Sequence, residues 1–92
     1  MLFDCLQTPG NEVYIETFGK YYTGRVVKTT QTTVTLDRAA WVADCGRYTA
    51  FLAGEPENHE VEVYPDDFKI EVPVSYIAMA AKWPHGLFRE QV

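Results

Sequence analysis

The sequence predicts a mainly β fold: a strongly bent antiparallel meander with one short inserted helix. Three observations predict it. Alternating apolar and polar residues recur at 12–18, 21–29 and 33–43, with short polar or glycine-containing turns between them. Gly24 interrupts the second run, "YYTGRVVKT", and a glycine inside a strand marks a bulge, a sharp bend or a close backbone approach. The apolar period then changes at "DCGRYTAFLAG" (44–54), where Tyr48, Phe51 and Leu52 recur at helical spacing.

Residues 1–10 form a lead-in that ends at Pro9-Gly10. In "EVYIETF" (12–18), Val13, Ile15 and Thr17 share one face while Tyr14, Glu16 and Phe18 share the other. Gly19-Lys20 suits a hairpin turn into the return strand 21–29, and "TTQTT" turns the chain again into "TVTLDRAAWVA" (33–43), rich in β-branched residues. In the helix, Asp44 is placed to act as N-cap and Gly54 to follow the C-terminus, with Trp41, Tyr48 and Phe51 packing between helix and sheet. "EPENHE" (55–60) reads as loop, "VEVY" (61–64) alternates, and Pro65-Asp66-Asp67 turns. "FKIEVPV" (68–74) resumes strand pattern, with Pro73 at a strand end or edge because it has no amide to donate. "SYIAMAA" (75–81) fits a short strand or a helical turn, and the tail 82–92 is irregular but too apolar to be idle.

Ninety-two residues make one small domain, 1–92, whose limited core leaves room for stabilisation by partner subunits. Two Trp, six Tyr and five Phe exceed what one small core hides, which points to an exposed apolar patch and a homo-oligomer. Cys5 and Cys45 form no CxxC and lie far from any histidine, so they read as reduced thiols. No signal-peptide pattern and no run of about 20 apolar residues is present, so the expectation is a soluble, cytoplasmic protein with no membrane partner. The formal charge is −5, with acids crowded into 55–71 against Lys69 alone. A broad basic face for duplex binding is therefore missing.

The spacing Gly19, Tyr22, Gly24, Val26, closed by Leu36, resembles the first signature of the Sm-like family, and "VPVSYIAMA" (72–80), with Val72, Ile77 and Met79, resembles the second. The resemblance covers about 11–43 and 68–81. It implies a small barrel of about five strands, bent at Gly24, that associates edge to edge into rings. Where RNA-binding members carry an acid and an asparagine this chain has Thr30 and Thr33, and it has Pro73-Val74 in place of Arg-Gly, so the uridine-reading set is absent. The stretches "YYTGRV", "AAWVADCGRYTAFLA" and "VPVSYIAMA" are more closely similar to a group of small phage and prophage proteins, which implies a viral source and a host-cytoplasmic location.

For catalysis the pattern offers little. Asp66 and Asp67 are adjacent and fit a turn, and His59 and His85, with scattered acids, form no metal-ligand spacing, so neither enzyme activity nor a cofactor is expected. For ligand binding the candidates are Tyr21, Tyr22 and Trp83 as stacking platforms and Arg25, Lys28 and Arg47 as phosphate contacts, with Thr30 and Thr33 as hydroxyl donors. Core, interface and solvated-surface roles compete for each. The expected function is a non-enzymatic phage-type homo-oligomer that captures a nucleotide-like or short nucleic-acid ligand between subunits, for instance a host defence signal. The alternatives are a module that inhibits a host protein through the acidic 55–71 face, and a ligand-free structural component.

Overall fold

A computed structural model describes residues 3–90; the outermost residues of the lead-in and of the tail lie outside this range. Six antiparallel strands form one sheet: β1 (Glu12–Thr17), β2 (Tyr21–Thr29), β3 (Thr33–Asp44), β4 (Glu60–Val63), β5 (Ile70–Pro73) and β6 (Ile77–Lys82). One helix, α1 (Tyr48–Leu52), is inserted between β3 and β4, and 3-10 turns occupy Asp4–Leu6 and Val74–Tyr76. The meander and the inserted helix thus stand as read from the sequence. Residues 75–81 divide between the two readings, turn first and strand after.

The order across the sheet is β4-β3-β2-β1-β6, with β5 also on β3. β3 serves both because it is long and bent. Its first part, Thr33 to Leu36, pairs with β5, and its last part, Ala40 to Asp44, pairs with β4. The bend lies at Arg38, whose φ of 47° is left-handed, opposite a register shift between Thr23 and Arg25 of β2. Gly24 sits at that point. A Cβ there would meet Leu36 Cβ and Cδ1 at 3.2 Å and Ala39 Cα at 3.4 Å. The glycine admits β3's backbone where the strand bulges, which increases local twist and bends the sheet.

The 3-10 turn Val74–Tyr76 links β5, on one flank of the sheet, to β6, on the other. The bend therefore brings the two flanks together, but β5 and β6 do not pair, and the ladder is not closed into a barrel. Pro73 ends β5 without an amide to offer, and the turn uses its amide at Val74 on Thr32 O at 2.8 Å instead.

Bending creates two cores, one on each face. The concave face buries Leu6, Val13, Ile15, Val26, Val34, Leu36, Ala39, Val72, Val74 and Ile77. The outer face buries Tyr14, Ala40, Val42, Phe51, Val61 and Trp83 beneath α1 and the tail. β1 alternates between them, Val13 and Ile15 inward and Tyr14 outward. The second core takes up five of the thirteen aromatic residues: Tyr14, Phe51 and Trp83 are buried in it, and Tyr21 and Phe88 pack against it. Among the described residues, the large apolar side chains left exposed are Phe18, Tyr48, Phe68 and Tyr76.

The helix differs from expectation in its cap. Arg47, not Asp44, occupies the N-cap position and makes no side-chain cap bond. Asp44 closes β3 instead, and its Oδ1 accepts the Gly46 amide at 2.8 Å. Gly54 follows the helix as expected, with the Glu55 amide returning to Ala50 O at 2.9 Å.

Candidate ligand-binding groove

The sequence-derived candidates scatter over the molecule. Arg25 is held by Asp37 through two hydrogen bonds, Nε to Oδ1 at 2.9 Å and Nη2 to Oδ2 at 2.8 Å. The same fork keeps the Asp37 carboxyl below its usual range. Arg25 is thus a structural ion pair across β2 and β3 rather than a free phosphate contact. Thr30 is spent within its own turn, where its hydroxyl accepts the Thr32 amide at 3.2 Å and the Thr33 amide at 3.0 Å. Thr33 begins β3, and Lys28 is exposed near the end of β2.

Trp83 is not a free stacking platform. It is 5% exposed, with Tyr14, Phe51 and Phe88 rings 5.7, 5.1 and 6.1 Å away and its Nε1 donating to Gly86 O at 2.9 Å. His85 meets Trp83 edge-on at 4.8 Å, and its Nε2 lies 2.8 Å from Leu52 O, which ties the tail to the end of α1. Tyr22 is half-buried beside Tyr64, and burial, more than that neighbour, raises its hydroxyl pKa. Arg47 is exposed and borders a shallow depression with Gly46, Glu57 and Asn58. The tyrosine expected in the helix core, Tyr48, instead points its hydroxyl at Glu16 on β1. That hydrogen bond, with burial second, pushes its pKa up to about 12. Tyr14 donates to the same carboxylate at 2.9 Å, and its pKa is raised chiefly by burial.

A different set of residues does converge. The β1–β2 turn and the end of β3 enclose an open groove of about 360 Å³, lined by Thr17, Phe18, Gly19, Lys20, Tyr21, Trp41, Val42, Ala43, Asp44 and Cys45. Of the eight sequence-derived candidates, Tyr21 alone contributes to it. The turn is pinned from within: Thr17 Oγ1 donates to Lys20 O at 2.9 Å and accepts the Lys20 amide at 3.0 Å. That leaves Phe18 at the tip, 79% exposed. The register of β2 on β3 sets Tyr22 opposite Trp41 and Tyr21 opposite Val42, so the end of β3 comes alongside the hairpin tip. Lys20 Nζ lies 5.4 Å from the centre of the Trp41 ring, which is half-buried and belongs to neither core. The expectation that Trp41 packs between helix and sheet is thereby corrected.

Sequence reading missed this groove because its parts are far apart in the chain. The available signal was Phe18, an apolar ring beside a polar turn with no partner in the alternation. Chemically the groove joins aromatic surface, one ammonium and one carboxylate. Among the described residues no group of three or more His, Cys, Asp or Glu is gathered to hold a metal, and no helix is long and apolar enough to cross a membrane. Cys5 and Cys45 are both free thiols. Compared with protein-family models, with curated proteins and with solved structures, the chain matches none.

Proposed function

We propose that this protein is a non-enzymatic binding module for nucleotide-like ligands and that the groove between Phe18, Lys20 and Trp41 is its recognition surface. The observation that carries the reading is Phe18, a large ring 79% exposed at a rigid turn beside a second ring and a cation. Stacking of a base on an aromatic side chain contributes about 1–3 kcal/mol, whereas an exposed cation–π contact is worth about 0.5–1 kcal/mol. A base therefore displaces Lys20 from the Trp41 face with net gain, and the freed ammonium meets the phosphate. A mononucleotide held this way binds with a dissociation constant on the order of 100 μM.

The assembly part of the reading rests on the sheet edges. β4 guards its edge with Glu60 and Glu62, and β5 with Glu71 and Pro73, but β6 runs Ala78, Met79, Ala80, Ala81 before its first charge at Lys82. Unguarded edges invite strand addition, so β6 is where a second copy pairs. Native mass spectrometry tests this directly, and a lone monomer at working concentration removes it. The use that the phage resemblance favours is sequestration of a host nucleotide signal. A second reading, a host-protein inhibitor, is favoured by Phe68, which is 51% exposed and stacks on Tyr64 within the acidic stretch.

The binding claim is tested by titrating mono- and dinucleotides into the full chain and following tryptophan fluorescence and melting temperature. A ligand selective for the native state raises the melting point. Phe18→Ala is expected to weaken binding about tenfold while leaving the unliganded melting temperature within about 1 °C, since an exposed ring adds little to stability. Absence of any response across the panel overturns the reading.

A further inference from the structure

We infer that Asp44 selects, among the ligands proposed for the groove, nucleotides whose base carries an exocyclic amino group. This rests on the nucleotide reading above and adds the part of the ligand that is read. The lining residues include one cation, Lys20, on the β1–β2 turn and one anion, Asp44, at the end of β3. A phosphate is repelled from Asp44 and drawn to Lys20, so the charge pair fixes which way round a nucleotide lies. The base edge then faces Asp44.

The carboxylate is positioned before any ligand arrives. Its Oδ1 accepts the Gly46 amide at 2.8 Å. Gly46 lies close against the backbone of the loop before β4: its φ is +65°, and a Cβ on it would lie 1.8 Å from Glu57 O. The turn after β3 thus packs its backbone directly against the loop before β4. Asp44 Oδ2 makes no hydrogen bond among the described residues and is an acceptor with no donating capacity when ionised. An amino group, as on adenine or cytosine, projects two hydrogens outward and satisfies it. The keto oxygen at the same ring position of hypoxanthine or uracil meets it oxygen to oxygen. A hydrogen bond to a charged acceptor discriminates more strongly than one between neutral groups.

The experiment measures dissociation constants of the full chain for two matched pairs, adenosine against inosine monophosphate and cytidine against uridine monophosphate. The amino member of each pair is expected to bind about tenfold more tightly. Asp44→Asn keeps an amide oxygen for Gly46 and adds a donor, so the preference should shrink to within about twofold, the keto nucleotides binding better than to wild type. Circular dichroism and the melting curve establish that the variant is folded. Lys20→Gln, read alongside, should weaken the nucleotides but not the nucleosides. If all four nucleotides bind wild type equally and Phe18→Ala weakens them all, the groove reading stands and the role of Asp44 is overturned. If no nucleotide binds wild type, both fall together.

Discussion

The two faces of β1 show two different ways of burying a residue. Val13 and Ile15 are fully buried among aliphatic side chains supplied largely by strands that are hydrogen-bonded to one another. Tyr14, between them in sequence, is just as buried, but among rings supplied by α1 and by the tail. Tyr14, Phe51, Trp83 and Phe88 form a continuous aromatic group with centroid spacings of 5.1 to 6.1 Å. Of the covering segments, α1 lies outside the strand ladders, and the tail leaves the end of the β1–β6 ladder, where the Trp83 amide donates to Glu12 O at 2.8 Å. A side chain lost from the inner core therefore weakens every strand pair around it, whereas one lost from the outer core loosens cladding. The groove depends on the cladding, because Tyr21, Val42 and Cys45 line it and also pack in or against the outer core.

Paired truncations break this comparison most sharply. Ile15→Ala removes a fully buried side chain from the inner core and is expected to destabilise the whole domain by about 4 kcal/mol. Phe51→Ala removes an equally buried ring from the outer core and is expected to lower global stability by about 3 kcal/mol. The two differ in where amide hydrogen exchange accelerates. For Ile15→Ala, protection should fall uniformly across β1, β2 and β3. For Phe51→Ala it should fall first in α1 and residues 83–88, with nucleotide affinity dropping under conditions where the sheet remains folded. Uniform loss in both variants would mean that the two cores form a single cooperative unit.

A smaller effect sharpens the inner side. Gly24→Ala asks Leu36 to give way by a few tenths of an ångström at 3.2 Å, against the backbone of Ala39 at 3.4 Å. Overpacking of this size costs about 1–2 kcal/mol, read as a lower midpoint in urea. An unchanged midpoint would mean that Leu36 has room to move and that the bend does not require glycine.

These residues also show what the sequence made legible. The strands were readable because period-two alternation is local, and Gly24 because a missing side chain in such a run has few explanations. The left-handed turn at Arg38 was not, since nothing in "TLDRAAW" distinguishes a strand that continues from one that bulges and exchanges its buried face. Leu36 faces inward, and so does Ala39, although their separation along a regular strand places them on opposite faces. Only the register with β2 reveals the extra residue. The outer core was hidden for a similar reason: Trp83 and Phe88 are visibly apolar, but neither has a periodic pattern that says what it covers. Tyr21 was legible as a candidate and Phe18 was not, because the groove is made by pairing between distant segments.

The mildest test lies next to Gly24, on the other face. Thr23 is fully buried opposite Tyr14 and Ala40, and its hydroxyl has no hydrogen-bond partner among the described residues. A buried hydroxyl without a partner has lost its water and gained nothing in exchange, a loss of about 1–3 kcal/mol relative to a satisfied one. Valine has the same shape without the oxygen. Thr23→Val is therefore expected to raise stability by up to about 1 kcal/mol, seen as a higher melting temperature with an unchanged urea dependence. The neighbouring substitution at Gly24 acts in the opposite direction, so the two together report on the two faces of one strand. If Thr23→Val instead lowers the melting temperature, the hydroxyl has a partner in solution, and the outer core is wetter than its tightly packed rings indicate.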